Sequence, residues 1–165
     1  MENATLENSL AIAKELISLL EKRGEKITFA ESCTAGLLSG TFCSVPGASA
    51  VYDGGLVSYA NEIKHRLLQV EEEVLKEKGA VSRECAAQMA AGAAALFGAA
   101  LALSVTGIAG PGGTKEKPVG TVYIGAFYKG RLKVEGHLFS GDRDEVRRTS
   151  VLYALSLGKN LFENS

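Results

Sequence analysis

Apolar positions in the first part of the chain alternate between helical spacing and short unbroken runs. Residues 5–22 carry apolar side chains every three or four positions, which predicts a helix that stops at Gly24. The short segment 26–30 is rich in strand formers and predicts a strand. Residues 34–43 predict a second helix, which the Pro46-Gly47 turn would end.

The alternation continues through the middle of the chain. Residues 56–59 predict a strand, and Asn61 is a suitable cap for a short helix after it. Residues 71–78 are acidic first and basic last, which suits the dipole of another short helix. Ser82 is expected to cap a long alanine-rich helix that ends near Phe97, whose small side chains would allow close packing on a neighbour.

The last third of the chain changes to strand-like patterns before a final helix. The apolar run 100–105 predicts a buried strand, and the segment 107–118 after it is a glycine-rich loop. Residues 119–128 and 131–139 are rich in β-formers around a two-residue turn, which predicts a hairpin. A capping box that begins at Asp142 predicts the last helix.

This order of elements predicts an α/β fold, a layered sandwich in which a mixed sheet of about five strands is flanked by helices. The length of 165 residues suits one domain over residues 1–165. A chain of this size buries enough surface to need no disulfide or metal for stability. We see no internal repeat, linker or low-complexity tract.

Composition and charge narrow the classes of function. The net charge is −1, so nothing global attracts nucleic acid or an anionic membrane. Three cysteines without C-x-x-C spacing and only two histidines argue against a disulfide framework and against a zinc site, and we expect no metal and no cofactor. Free thiols and the absence of a signal-peptide pattern lead us to expect a cytoplasmic protein.

The first candidate site lies at residues 30–36, where the first predicted strand turns into a helix. Ser32 would be held rigidly there as a nucleophile, and backbone N–H groups near Cys33 and Thr34 would form an oxyanion hole. Gly36 closes this segment, and we assign it to substrate binding because the free N–H groups of the helix's first turn would point at the ligand. The simpler interpretation is that Ser32 or Thr34 is only a helix cap, and local sequence alone favours it.

The second candidate is Lys64, at the next junction between a strand and a helix. Lysine acts as a general base only when burial or a neighbouring cation lowers its pKa, and a solvated surface lysine is the simpler alternative. His65 follows directly, but on a helix it points about 100° away from Lys64. A Ser-His pair would therefore require a separate geometry.

Two further candidates lie later in the chain. The glycine-rich loop that includes Gly107 and Gly110 lets backbone N–H groups approach a ligand, yet it fits neither the P-loop nor the dinucleotide pattern. Its alternative is a flexible surface turn. Arg143 and Arg147 are four apart at the start of the last helix and are suited to a phosphate, although ion pairs with nearby carboxylates would explain them equally well.

The combination and order of these segments are more specific than any one of them. Together they resemble the carboxy-terminal domain of the CinA family, which also occurs as a stand-alone nicotinamide-nucleotide amidase. The matching blocks are TFAESCTAG (28–36), PGAS (46–49), GLVSYANEIK (55–64), GAVS (79–82), TGIAGPGG (106–113), KPVGT (117–121) and FSGDRD (139–144).

The resemblance implies hydrolysis of the carboxamide of nicotinamide mononucleotide to nicotinic acid mononucleotide and ammonia. It places the nucleophile at Ser32 and its base at Lys64, with Tyr59 and Thr106 lining the site. Ala35 stands where the family usually has a second glycine. We assign the substrate phosphate to Gly107 and Gly110 of the loop and to Arg143 or Arg147. The partner is thus a small nucleotide substrate, and we expect a homodimer.

Three rival interpretations remain open from sequence. Cys33 adjoins Ser32 at a helix start, where thiol pKa values fall, so a cysteine hydrolase is the closest rival. A nucleotide-binding regulatory or interaction module without catalysis is the second. A DNA-processing role, suggested by the family's link with competence, is the weakest because the chain has no basic stripe.

Overall fold

A computed structural model describes the backbone of residues 2–165 and the side chains from Thr5 onwards. It contains six α-helices, five strands and a single 3₁₀ turn at Ala48–Ala50 within that range. The helices are α1 (Glu2–Arg23), α2 (Leu37–Cys43), α3 (Asn61–Leu68), α4 (Glu72–Glu77), α5 (Arg83–Phe97) and α6 (Arg143–Glu163). The strands are β1 (Ile27–Glu31), β2 (Leu56–Val57), β3 (Leu101–Gly107), β4 (Thr121–Tyr128) and β5 (Arg131–Leu138). Within residues 2–165, no helix combines the length and apolarity that crossing a bilayer requires.

The five strands form one mixed sheet in the order β2-β1-β3-β4-β5. The first three are parallel, and β1 is flanked by β2 on one side and β3 on the other. Strand β4 pairs antiparallel with β3, and β5 pairs antiparallel with β4. β4 and β5 form the hairpin expected from sequence, at one end of the sheet. The predicted fold class, an α/β sandwich on a mixed sheet, is confirmed.

Helices cover both faces of the sheet. On one face α1, α2 and α6 pack over a large apolar core that includes Phe29, Leu103 and Ile124. On the other face α5 lies across the sheet with α3 beside it, around a smaller core that includes Met89. Four alanines of α5 are buried, Ala86, Ala90, Ala93 and Ala94. A Cβ at Gly92 would lie 1.9 Å from the carbonyl oxygen of Leu68, so α5 packs against α3 as closely as its small residues suggested.

Two helix starts differ from the sequence prediction. The helix expected from residue 34 begins only at Leu37, because residues 32–36 form a run of turns in which Gly36 has a φ of 95°. Asn61 is the first residue of α3, and Ala60, which has no capping side chain, precedes it. The caps at Ser82 and Asp142 are confirmed, since each side chain accepts the N–H of the residue three positions later.

Candidate active site

The candidate site lies where the carboxyl ends of the parallel strands meet at one edge of the sheet. The chain runs from β1 to β2 on one side and later returns to β3 on the other, so the loops after β1 and β3 diverge there. In open α/β sheets such a switch in strand order leaves a crevice in which ligands bind. The segments that carried the sequence candidates, 32–36, 58–64, 107–120 and 139–147, all adjoin this edge.

Ser32 and Lys64 are brought into direct contact at this edge. The Nζ of Lys64 lies 3.0 Å from the Oγ of Ser32, although 32 residues separate them in the chain. The same Nζ donates to the carbonyl oxygens of Ser58, at 2.5 Å, and Tyr59, at 3.0 Å. Lys64 is fully buried, so the surface-lysine alternative is wrong.

Burial lowers the pKa of Lys64. Removal from water disfavours its charged form and lowers the pKa below the ordinary value of 10.5. Within the described residues only the thiols of Cys85 and Cys33 oppose this shift, and they do so only as thiolates. In its neutral form, which this shift favours, Lys64 has two N–H donors for the two carbonyls and one lone pair for the hydroxyl proton of Ser32. The contacts therefore match a general base.

The thiol beside the nucleophile is not activated. Burial raises the pKa of Cys33 to about 11, against its ordinary 9.0, and raises that of Cys85 to about 11 as well. At neutral pH both are thiols, so neither keeps Lys64 charged. The low thiol pKa expected from a helix start is wrong here, because α2 begins at Leu37 and Cys33 is enclosed.

The N-terminus of α2 is occupied by the protein's own carboxylate. Buried Glu31 accepts the N–H groups of Gly36, Leu38 and Ser39, and also the hydroxyl of Ser39. The expectation that first-turn N–H groups point at a ligand is therefore wrong for α2. Because the N–H of Gly36 donates to Glu31, it is not available to a substrate.

Two backbone N–H groups in the turn remain for a ligand. Within residues 2–165, the N–H groups of Cys33 and Thr34 donate to no oxygen, whereas those of Ser32 and Ala35 are bonded to Val105 and Ser32. Arg147 fixes this turn, because its Nε donates to the carbonyl of Cys33 at 3.1 Å and an Nη to that of Thr34 at 3.0 Å. A carbonyl and the next N–H in one peptide plane point in opposite directions, so the N–H of Thr34 points away from Arg147.

Arg143 lies at the mouth of the site. Its guanidinium donates to the carbonyl of Gly110 and, at 3.3 Å, to the hydroxyl of Tyr59. Tyr59 is 60% exposed, and its backbone carbonyl contacts Lys64. Arg143, Tyr59 and the glycine loop thus form one rim of the crevice, with Arg143 accessible to an anion.

Thr106 and Gly107 end β3 beside the dyad. The hydroxyl of buried Thr106 donates to the carbonyl of Ala80 at 2.8 Å, which ties the strand to the loop before α5. A Cβ at Gly107 would lie 2.7 Å from the carbonyl oxygen of Thr121, so only glycine fits between β3 and β4. These contacts assign both residues structural roles at the edge of the site; their predicted contacts with substrate remain a prediction.

His65 does not contact Ser32 or Lys64 through its ring. The Nδ1 of His65 lies 2.8 Å from the carbonyl of Val70 and its Nε2 lies 3.5 Å from Glu72, so the Ser-His alternative is wrong. No group of three or more histidine, cysteine, aspartate or glutamate side chains in the described part of the chain is arranged to hold a metal ion.

Ala35 is strained in the turn that carries Ser32. Its φ is 47°, in the left-handed region that glycine adopts more easily. We expect Ala35→Gly to raise the free energy of unfolding by about 0.5–1 kcal/mol, the left-handed penalty less the added chain entropy. Chemical denaturation measures it.

The matched control for Ala35→Gly is Ala11→Gly on the exposed face of α1. That change should lower the free energy of unfolding by about 0.5–1 kcal/mol, because glycine weakens a helix interior. Equal destabilisation by both variants would show that Ala35 does not hold a positive φ in solution.

The model of the CinA C-terminal domain matches residues 9–162 of the chain. The chain belongs to the CinA C-terminal domain family. It is 44% identical over 152 residues to the CinA-like protein of Dictyoglomus turgidum and 50% identical over 141 residues to that of Citrifermentans bemidjiense.

These matches cover 92% and 85% of this chain but only 37% and 34% of the two relatives, so the CinA domain spans about a third of the curated relatives' length. Solved structures cover the domain more completely. The competence/damage inducible protein CihA of Agrobacterium tumefaciens superposes with a TM-score of 0.91 at 38% identity, covering 96% of each chain. A CinA superfamily protein of Escherichia coli gives 0.86 at 31% identity, covering 92% of this chain and 88% of its own.

Two residues of the CinA site were not singled out from sequence. Ser58 contributes a backbone carbonyl to Lys64, and no side-chain pattern reveals such a contact. Glu31 was within a matched block but had no assigned role. Its signal was available, because a carboxylate that ends a mostly apolar, buried strand must find internal donors.

Proposed function

We propose that this CinA domain hydrolyses the carboxamide of nicotinamide mononucleotide to nicotinic acid mononucleotide and ammonia. The observation that supports it is the 3.0 Å contact between Ser32 Oγ and the Nζ of a buried lysine with a lowered pKa. A serine becomes nucleophilic when an adjacent base takes its proton. The amide and the nucleotide rest on the resemblance to the stand-alone amidases.

The first half of the reaction acylates Ser32. Neutral Lys64 takes the hydroxyl proton as Oγ attacks the amide carbon, while its two N–H groups stay on the carbonyls of Ser58 and Tyr59. The negative oxygen of the tetrahedral intermediate accepts from the N–H groups of Cys33 and Thr34. Lys64 then gives its proton to the amide nitrogen, the C–N bond breaks, and ammonia leaves.

The second half returns the enzyme to its starting state. Lys64, neutral again, takes a proton from a water molecule that attacks the ester carbon of acylated Ser32. The same oxyanion donors hold the second intermediate. Proton return from Lys64 to Oγ releases the acid. One titratable side chain thus serves both halves, and each proton that it accepts is passed on.

The remaining parts of the proposal concern the nucleotide and the assembly. Arg143 lies exposed at the mouth and is the group that we assign to the phosphate, together with backbone of the loop around Gly107 and Gly110. The proposal also includes a homodimer in the cytoplasm that has no nucleic-acid or membrane partner. The non-catalytic nucleotide-binding module is the rival that a turnover assay excludes.

Product analysis tests the reaction type. With a chelator present, the protein should convert nicotinamide mononucleotide into equal amounts of ammonia and nicotinic acid mononucleotide, separated by anion exchange. Release of free nicotinamide instead would show that the glycosidic bond is cut, which the Ser-Lys site does not explain.

Arg147 is expected to act on kcat rather than on KM. Its guanidinium holds the carbonyls of Cys33 and Thr34, and a third contact reaches Asp144 at 3.4 Å. Lysine at position 147 cannot hold both carbonyls in the same fork, so Arg147→Lys should misplace the oxyanion donors and lower kcat about 10- to 100-fold. Steady-state kinetics with nicotinamide mononucleotide measures the effects on kcat and on KM separately. A higher KM at unchanged kcat would instead assign Arg147 to the phosphate, as first predicted.

A further inference from the structure

Glu31 is the residue that links the two halves of the Ser-Lys pair. Its side chain organises the segment after Ser32, and its backbone carbonyl organises the segment before Lys64. The carboxylate accepts four hydrogen bonds from Gly36, Leu38 and Ser39, at distances between 2.6 and 3.0 Å. It is fully buried.

The backbone of Glu31 fixes the lysine side. Its carbonyl oxygen accepts the N–H of Ser58 at 2.7 Å and also lies 3.4 Å from the hydroxyl of Ser58. The carbonyl of Ser58 in turn receives the Nζ of Lys64. A shift of Glu31 therefore moves Ser32, which follows it in the chain, and the carbonyl that orients Lys64.

The carboxylate is itself held from the core. The hydroxyl of Tyr52 donates to the Oγ of Ser39 at 3.0 Å, and Ser39 donates to Glu31. The ring of Tyr52 stacks on Phe29 with centroids 5.1 Å apart. This chain of contacts connects the turn at the site to the packed aromatic side chains beneath α2.

We infer that Glu31 is the positioning residue of the dyad: its charge satisfies the N-terminus of α2 and sets the separation of Ser32 Oγ and Lys64 Nζ. This inference rests on the proposed function for its kinetic consequence. Glutamine at position 31 has the same shape, but its NH₂ group would face N–H donors of the turn and lose at least one bonded pair. Only the geometry of the turn should change, since Glu31 does not touch the crevice.

The test compares Glu31→Gln with Thr28→Val, a buried polar change on the same strand. The hydroxyl of Thr28 donates to the carbonyl of Gly54 at 2.8 Å, away from the site. Two readouts are taken well below the unfolding temperature of every variant: the rate at which a fluorophosphonate labels Ser32, and amide exchange at Leu38 and Ser39. In labelling, Oγ bonds to phosphorus, fluoride leaves, and the proton passes to Lys64.

For Glu31→Gln we expect labelling at least tenfold slower, kcat lowered to a similar extent, unchanged KM, and faster exchange at Leu38 and Ser39. Ser39→Ala should show a smaller effect in the same direction. Thr28→Val should lower thermal stability yet label within twofold of the parent rate. Parent-like labelling and exchange in Glu31→Gln would overturn the inference. Failure of the proposed function would look different: the parent would release no ammonia, while the exchange contrast would still decide the role of Glu31.

Discussion

Lys64→Met is expected to abolish turnover of nicotinamide mononucleotide, by about 10⁴-fold in kcat, without unfolding the protein. Methionine has nearly the length of lysine and fits an apolar environment, but it has no lone pair that can take the proton of Ser32. Loss of the base leaves a hydroxyl that is a weak nucleophile. Steady-state ammonia release measures the loss, and circular dichroism verifies the fold.

The pH dependence of stability should differ between the parent and Lys64→Met, which would not be expected if Lys64 were a surface lysine. Because burial lowers the pKa of Lys64 below 10.5, the unfolded chain binds more protons than the folded one between the two pKa values. The free energy of unfolding of the parent should therefore rise with pH through that window and level off above about 10.5. Lys64→Met should lack this rise, so the stability difference between the two proteins should vary across the window.

The slope of the free energy of unfolding against pH is a better diagnostic than the absolute stability of Lys64→Met. Removing a buried amine is favourable, but the carbonyls of Ser58 and Tyr59 lose their donor, and these effects oppose each other. Urea titrations between pH 7 and 10.5 give the slope. Parallel curves for parent and variant, together with retained turnover, would show that Lys64 is not the neutral base.

Ser32→Ala is expected to lose at least about 10³-fold in kcat while still binding the nucleotide. The change removes the atom that forms the acyl-enzyme and leaves the oxyanion donors, Lys64 and Arg143 in place. Calorimetry should give similar dissociation constants for nicotinamide mononucleotide with Ser32→Ala and with Lys64→Met, since both variants are expected to bind the nucleotide without turnover. Hydroxylamine should trap an acyl group from the parent and none from Ser32→Ala.

Cys33→Ala is the matched control for this prediction. It removes the neighbouring side chain but keeps the backbone N–H that is proposed to bind the oxyanion. A thiol whose pKa is raised to about 11 has almost no thiolate at neutral pH, so activity should stay within a few-fold of the parent. Loss of turnover in Cys33→Ala with activity retained in Ser32→Ala would reverse the assignment of the nucleophile.

The sequence predicted the elements whose signals are local. The periodicity of α1, the β-rich runs of β4 and β5, and the caps at Ser82 and Asp142 depend on neighbours within a few positions, and all are present. The predicted start of α2 at residue 34 was wrong, because Glu31 accepts the N–H groups of Gly36, Leu38 and Ser39 from outside the helix. A helix pattern does not reveal that a turn is stabilised by the preceding strand.

In the candidate site, too, some features could be predicted from the sequence and others depend on contacts between distant residues. The resemblance named both Ser32 and Lys64, so the pair was predictable. The burial of Lys64 was not, because it depends on the carbonyls of Ser58 and Tyr59 and on α5 packing over α3. Likewise, Arg147 was expected to meet phosphate, whereas three of its contacts are within the protein. Long polar side chains reach several partners, and spacing along the chain does not choose between them.

Ammonia release from nicotinamide mononucleotide, by purified metal-free parent and Ser32→Ala assayed side by side, tests the central claim most directly. The Ser-Lys mechanism predicts steady release by the parent in the presence of a chelator and none above background from Ser32→Ala. Release by neither protein, with nucleotide binding intact in both, would contradict the claim and make the binding module the leading function. Equal release by both would contradict the assignment of Ser32 as nucleophile.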